Sequence, residues 1–176
     1  WISNAYLLGL TVIIPLSVWL AAVMGERTLI AASLLLFAGA SMMVGQASSI
    51  ETLIGWRALQ GLGGGLLIPV GQAMAYRHFP AAERSQLTAQ VMSVALLVPA
   101  LSPALGGLIV DNVSWRWIFY ANLPLALMTL LLTVLWIKPD RPSSRRVPLD
   151  VGSIFQQIRS PMLRTAMLIY LCIPGV

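Results

Sequence analysis

The stretch RALQGLGGGLLIPVGQ, residues 57–72, decides how this chain folds. It opens with Arg57, and no other charged residue follows before Arg77. Four glycines follow closely, at positions 61, 63, 64 and 65, and a fifth lies at position 71. Gly61 and Gly65 are four residues apart, so in a helix they lie on one face and let another backbone approach closely. The glycines therefore indicate tight packing against another helix. This contact is either fixed or one along which the two helices slide during function.

Two soluble interpretations of the same glycines fail on the residues that follow them. A phosphate-binding Walker loop needs Lys-Ser/Thr after its last glycine, whereas Leu66 and Leu67 follow Gly65. A dinucleotide-binding fingerprint that starts at Gly61 needs glycine or alanine at position 66, which is leucine. Neither nucleotide site is supported by this stretch.

The composition points to a membrane rather than to water as the surrounding solvent. The chain has 176 residues, of which 58% are hydrophobic and 10% charged, and its mean hydropathy is +0.83. A soluble domain usually carries about a quarter of charged residues. The chain begins with Trp1 and ends within an apolar run, so we expect it to be part of a longer protein.

Five segments are long and apolar enough to cross a bilayer, for which a helix needs about 20 apolar residues. They are residues 1–24, 28–47, 52–76, 87–110 and 115–137. Residues 138–160 form a basic linker, and residues 161–176 are expected to start a truncated further helix. The predicted fold is an all-α polytopic bundle, because an open sheet edge cannot be satisfied in lipid.

The basic residues predict the orientation of these segments. If alternate loops lie on one side, nine of the eleven lysines and arginines fall on that side, Arg116 falls on the other, and Arg57 lies within a span. Such an asymmetry identifies the cytoplasmic side. The tryptophans lie near the ends of the spans, as in an aromatic belt. Positive charge thus sets topology, and no nucleic-acid partner is needed to explain it.

Arg57 lies about 8 Å inside its span, at 1.5 Å per helical residue. Its side chain either extends to the outer interface or faces the protein interior or an aqueous cavity, where ionisable groups mark ion and substrate paths. Ionisable groups within a span more often take the second position. We therefore take Arg57 as a candidate residue of an ion or substrate path.

The fourth span contains VPALSPALGG, residues 98–107, with proline and glycine on neighbouring rows. Pro99 and Pro103 each remove a backbone hydrogen bond, which favours a bend. Gly106 and Gly107 leave a smooth surface for another helix. A kinked helix with a small-residue face is typical of a hinge or a seal, and the alternative is a statically bent helix.

The motifs together resemble the major facilitator superfamily, and within it the drug:proton antiporters of the EmrB/QacA type. The segments that carry the resemblance are WISNAYLLGLTVIIPLSVWLAAVMGER (1–27), LIGWRALQGLGGG (53–65), PALSPALGG (99–107) and SWRWIFYANLP (114–124). The resemblance implies helices two to six of the N-terminal half of the transporter fold. It also implies that Arg57 acts in proton coupling and that Gly61, Gly65 and the proline-glycine motif act in gating.

One motif of that family is incomplete in this sequence. The loop after the second helix usually reads Gly-x-x-x-Asp-Arg-x-Gly-Arg-Arg, and the aspartate belongs to a charge relay that latches the cytoplasmic gate. Here Val18, Ala22 and Val23 replace the first glycine, the aspartate and the arginine, while Gly25 and Arg27 remain. The resemblance therefore leaves the latch without its usual acid.

The sequence predicts a multi-pass inner-membrane exporter that exchanges protons for small amphipathic molecules. It uses a proton gradient and no cofactor; a membrane-fusion adaptor as a further partner is left open. The polar candidates for the substrate cavity are Asn4, Tyr6, Gln60, Gln72 and Gln90. The alternatives are a nutrient facilitator or symporter on the same fold and a non-transporting, degenerate fragment. With one cysteine and one histidine, the sequence supports neither an enzyme nor a metal site.

Overall fold

The computed structural model describes residues 1–80 and 82–138, together with residues 161 and 165. The predicted linker and the predicted further helix therefore lie, apart from residues 138, 161 and 165, outside the described part of the chain. Within that part every regular element is a helix. The prediction of an all-α fold is confirmed.

Seven α-helices and one short 3₁₀ turn follow one another in the described residues. They are α1 (Ile2–Ile13), the 3₁₀ turn (Ile14–Leu16), α2 (Ser17–Met24), α3 (Glu26–Gln46), α4 (Ile50–His78), α5 (Arg84–Asn112), α6 (Arg116–Tyr120) and α7 (Asn122–Trp136). Pro15 lies in the 3₁₀ turn, where it lacks the N–H that would continue the α-helical hydrogen bonds from α1 into α2. The two helices and this turn form one continuous apolar segment.

Four of the described segments are long and apolar enough to cross a membrane. They are Ile2–Met24, Glu26–Gln46, Arg84–Asn112 and Arg116–Trp136. Helix α4 has 29 residues but a lower hydropathy, since Arg57, two glutamines and its glycines dilute the apolar residues. It packs against both α1 and α3. The least apolar long helix is therefore covered by two neighbouring helices, α1 and α3.

The connection between α2 and α3 is shorter than the sequence suggested. The residues Gly-Glu-Arg were predicted to form a loop, but Glu26 and Arg27 already belong to α3. Gly25 alone turns the chain, with a φ of 80°. Only glycine adopts this conformation without strain, which gives a physical reason for a glycine at this position of the motif.

Two apolar clusters of buried residues mark the two ends of the bundle. One is built on Val44, Ala47, Leu53 and Phe119, with Trp56 and Trp115 packed against it. The other is built on Leu29, Ile30, Leu34, Leu66 and Val70. Arg27 lies at the end of the second cluster, where its Nη2 donates to the backbone oxygen of Val134 over 2.7 Å. The tryptophans Trp56 and Trp115 thus meet at the end opposite the cation-bearing end.

This arrangement leads to a test of orientation. Ser85 and Val113 stand near opposite ends of α5 and both are exposed. We expect a cysteine at position 85 to be cytoplasmic and one at position 113 to be external, because cations concentrate at the cytoplasmic side. In an otherwise cysteine-free full-length protein in intact cells, an impermeant maleimide should label Val113→Cys but not Ser85→Cys. The reverse pattern would overturn the orientation.

Candidate functional site

The glycines of α4 are the points at which its backbone meets α1. A Cβ atom at Gly61 would collide with the carbonyl oxygen of Tyr6, and one at Gly65 would lie 2.8 Å from the carbonyl oxygen of Leu10. From the other side, a Cβ atom at Gly9 of α1 would collide with the carbonyl oxygen of Ala58. The two helices are therefore in backbone contact, closer than any side chain would permit.

Other glycines of α4 behave differently. A Cβ atom at Gly63 would stand 2.9 Å from both the Phe37 nitrogen and the Ser33 oxygen of α3, so this glycine serves the α3–α4 contact. One at Gly64 would lie 3.0 Å from the Tyr6 hydroxyl, whereas one at Gly71 would have no described atom within 4 Å. Close packing of the glycines is thus concentrated in the half of α4 that contains Arg57.

Arg57 lies within this closely packed region and is partly buried. Its Nη1 donates to Oε1 of Gln60 over 3.0 Å. The Nε2 of Gln60 in turn donates to Oγ of Ser41 on α3 over 2.6 Å. Gln60 and Ser41 are 1% and 0% exposed. A buried polar chain of this kind costs free energy unless every member is paired, so its presence favours an interior role for Arg57 over an interface anchor.

Two aromatic rings also lie against the guanidinium of Arg57. Its Cζ is 4.9 Å from the ring centroid of Phe119 on α6 and 5.5 Å from that of Tyr6 on α1. Both distances are within the range of cation–π attraction. The Nε of Arg57 is buried and has no hydrogen-bond partner among the described residues. The site therefore holds a cation that residues of α1, α4 and α6 contact and that retains an unused donor.

The other predicted cavity residues lie on three different helices, α1, α4 and α5. Asn4 is partly buried on α1, and Gln90 is exposed on α5. Gln72 lines a cavity of about 230 Å³ between α4 and α5, at the edge of which the hydroxyls of Tyr76 and Thr88 lie 3.1 Å apart. The structure therefore brings Tyr6 and Gln60 to Arg57 and places Gln72 in a separate cavity.

An ion pair that the sequence did not predict joins α3 to α4 at the cation-bearing end. Arg77 Nη2 lies 2.9 Å from Glu26 Oε1, and the Glu26 side chain is 7% exposed whereas that of Arg77 is 68% exposed. Both residues line a cavity of about 360 Å³. Ala22, which replaces the family aspartate, also lines this cavity. A carboxylate is thus present beside the position where the motif lacks one.

Helix α5 carries the proline-glycine motif on a surface that the described residues leave open. It continues as α-helix through Pro99 and Pro103. None of its residues is buried, and a Cβ atom at Gly106 or Gly107 would have no described atom within 4 Å. Among the residues that the structure describes, this face therefore has no packing partner.

Together these features define a class of protein: a multi-pass helical membrane protein with a partly buried arginine and polar groups between its helices. The chain belongs to the Major Facilitator Superfamily, whose family model matches residues 1–176. The resemblance stated from the motifs is thereby confirmed, and so are the integral membrane location and the prediction that the protein is not an enzyme, because this is a family of transporters.

The relatives that the chain resembles are multidrug transporters by name. The chain is 31% identical to the multidrug transporter protein MdtP of Bacillus subtilis over 90% of its own length. It is 34% identical to the multidrug export protein EmrB of Escherichia coli over 85%, and 37% identical to the putative multidrug resistance protein MdtD of Cronobacter sakazakii over 77%. It spans about 29% of the length of each.

Proposed function

We propose that this chain is part of a secondary active exporter that exchanges inward-moving protons for small amphipathic compounds at the inner membrane. The observation that carries the proposal is the partly buried Arg57 between packed helices, whose Nε has no hydrogen-bond partner among the described residues. Its relatives are named for multidrug transport, which supports this substrate class. In such transporters two helix bundles rock about a site near the midplane of the bilayer.

In this proposal Arg57 acts on a proton without carrying it. Arginine is not deprotonated in proteins, but a nearby cation favours the carboxylate form of an acid and lowers its pKa. None of the six acidic residues of the chain lies deep within a predicted span. The acid on which Arg57 acts is therefore expected in a part of the full-length protein outside this sequence, within reach of its unused Nε.

The Glu26–Arg77 ion pair is proposed to replace the latch for which the usual aspartate is missing. Its carboxylate is nearly inaccessible, so the pair is screened less than a surface pair. It joins the beginning of α3 to the end of α4, beside Gly25 and Ala22. Its loss should shift the conformational equilibrium toward states that are open to the cytoplasm.

We expect Glu26→Gln to reduce export about 2- to 5-fold while leaving substrate binding in detergent intact. The variant leaves Arg77 without its carboxylate, but the Arg77 side chain is 68% exposed, and an ion pair with an exposed partner contributes up to about 1 kcal/mol, a factor of about five. The charge-exchanged double variant Glu26→Arg with Arg77→Glu should recover part of the activity. Wild-type export by Glu26→Gln would exclude a role for the ion pair in gating.

We propose that the open face of α5 seals against another part of the full-length protein during transport. Gly106→Leu should then insert into the membrane normally but export at least about tenfold less, since a larger side chain prevents close approach of helices. The matched variant is Leu105→Ile, which changes the shape of a neighbouring exposed side chain without adding volume. Equal export by Gly106→Leu and wild type would remove this face from the gating mechanism.

The proposed function is tested with purified full-length protein in proteoliposomes loaded with ethidium. An imposed pH gradient should drive ethidium against its concentration gradient, and an ionophore that collapses the gradient should stop it. If labelled nutrients move and ethidium does not, the facilitator or symporter alternative replaces the exporter. Movement of neither under any gradient would support the non-transporting alternative.

A further inference from the structure

The segment SWRWIFYANLP belongs to the family motifs, yet the proposed function assigns it no role. In the structure its Phe119 is buried and lies against Arg57, with 4.9 Å between the guanidinium carbon and the ring centroid. The ring of Phe119 is itself held edge-to-face by Trp115, at a centroid distance of 6.0 Å. Arg116 in turn lies 4.7 Å from the Trp115 ring. A chain of aromatic contacts thus runs from the exposed end of α6 to Arg57.

A second support reaches Arg57 from α3, and its hydrogen bonds have a defined direction. The Ser41 hydroxyl donates its hydrogen to the carbonyl oxygen of Phe37 over 2.8 Å. Ser41 can therefore only accept from Gln60, which must turn its Nε2 toward Ser41. Its Oε1 then faces Arg57, which has only donors to offer. Each link fixes the orientation of the next, from the backbone of α3 to the guanidinium.

The series of hydrogen bonds from Ser41 through Gln60 holds Arg57 in place and does not conduct protons. Neither the amide of Gln60 nor the hydroxyl of Ser41 titrates in the physiological range, and each is already committed to a fixed partner. Among the described residues, the titratable group that faces Arg57 is Tyr6 on α1, while α3 contributes Ser41 and α6 contributes Phe119. The supports from α3 and α6 are uncharged, so they act on position alone.

We infer that Phe119, Gln60 and Ser41 are positioning residues that fix the guanidinium of Arg57 in the orientation needed for proton coupling. We call these three residues, which contact Arg57 directly or through one another, the clamp. The SWRWIFYANLP segment thereby acquires a function, because its Phe119 supplies the aromatic side of the clamp. The structural part of this inference stands on the contacts alone. Its consequence for transport rests on the proposed function.

The transport arm of the test compares conservative and non-conservative variants at Phe119. Phe119→Leu keeps an apolar side chain but loses the ring, and it should lower proton-driven ethidium efflux about 2- to 30-fold, the range that one cation–π contact corresponds to. Its pH profile should move toward alkaline pH, as for Arg57→Ala. Phe119→Trp keeps a ring that attracts cations and should restore both efflux and profile. Trp117→Leu, on the exposed side of α6, is the control.

Ser41 offers a matched pair with Ser33, because both are buried serines of α3 that donate to a carbonyl four residues earlier. Of the two, Ser41 accepts from Gln60. Ser41→Ala should therefore move the pH profile in the same direction as Phe119→Leu, whereas Ser33→Ala should not. A purely structural role would lower the amount of folded protein and leave the profile in place.

The second part of the test, the structural arm, measures the contact between residue 119 and Arg57 without a transport assay. We would incorporate 4-fluorophenylalanine at position 119 alone in the full-length protein and record its ¹⁹F resonance. Arg57→Ala should shift this resonance, Ser41→Ala should shift it in the same direction, and Ser33→Ala should leave it unchanged. An unshifted resonance in both Arg57→Ala and Ser41→Ala would overturn the inference.

The two arms separate the inference from the proposed function. If the ¹⁹F resonance responds but Arg57→Ala transports normally, the clamp exists and the coupling role of Arg57 fails. If Arg57→Ala is inactive but Phe119→Leu and Ser41→Ala keep the wild-type pH profile, the coupling role stands and the positioning inference is overturned.

Discussion

Gly61→Ala is expected to lower the free energy of unfolding of the full-length protein by about 1 to 3 kcal/mol, the usual range for overpacking. The added methyl group would collide with the carbonyl oxygen of Tyr6. Backbone atoms have no rotamer by which to move away, so α1 and α4 must separate. Separation also draws Tyr6 away from Arg57. The variant should therefore lose both thermal stability and transport.

The measurement is the unfolding midpoint Tm of purified protein in detergent, for Gly61→Ala and for a matched variant of the same helix. Gly55→Ala places the same methyl group where no described atom lies within 4 Å. Its Tm should equal that of wild type or exceed it, since alanine favours helix more than glycine does. Gly9→Ala, on the facing helix, should behave like Gly61→Ala. Equal Tm values for Gly55→Ala and Gly61→Ala would disprove the close backbone contact.

Arg57→Ala is expected to reduce proton-driven efflux about 10- to 1,000-fold at neutral pH. A cation beside an acid lowers its pKa by about 1 to 3 units, and each unit corresponds to a factor of ten. Without Arg57 the pKa of that acid rises, so the acid keeps its proton on the cytoplasmic side and exchange stalls. Efflux by the variant should recover as the cytoplasmic pH is raised.

Arg57→Lys should fall between wild type and Arg57→Ala. Lysine keeps a charge, but it lacks the planar fork that reaches Gln60 and lies against two rings, and it loses its proton more readily when desolvated. An interface anchor would accept lysine about as well as arginine. The control is Lys138→Ala, which removes an exposed charge and should export normally. Normal export by Arg57→Ala would remove Arg57 from the coupling mechanism.

The helices of this chain were predictable because a membrane-spanning helix requires a long run of apolar residues, which is recognisable in the sequence. The extent of α3 was less so: a Gly-Glu-Arg tripeptide suggests a loop, yet a single glycine with positive φ completes the turn and leaves Glu26 in a helix. The Glu26–Arg77 pair was missed for that reason. The available signal was that an acid and a base were both assigned to the same membrane side.

Several residues of the candidate site could be predicted from the sequence, but the contacts between them could not. The spacing of Gly61 and Gly65 indicated a close contact, but the identity of the facing backbone depends on how α1 crosses α4. Phe119 is far from Arg57 in sequence, and no local pattern relates the two. The face of α5 was predicted to pack, and its partner cannot be found among the described residues.

We propose that this protein exchanges protons for an exported compound at a site governed by Arg57. The most direct measurement is proton release from purified full-length protein in weakly buffered detergent solution when ethidium is added. We predict that the wild type releases protons, because substrate displaces the proton from an acid whose pKa Arg57 lowers. Arg57→Ala should release fewer at neutral pH while still binding ethidium. The proposed exchange would be contradicted if the wild type bound ethidium without releasing protons at any pH within the titration range of a carboxylate.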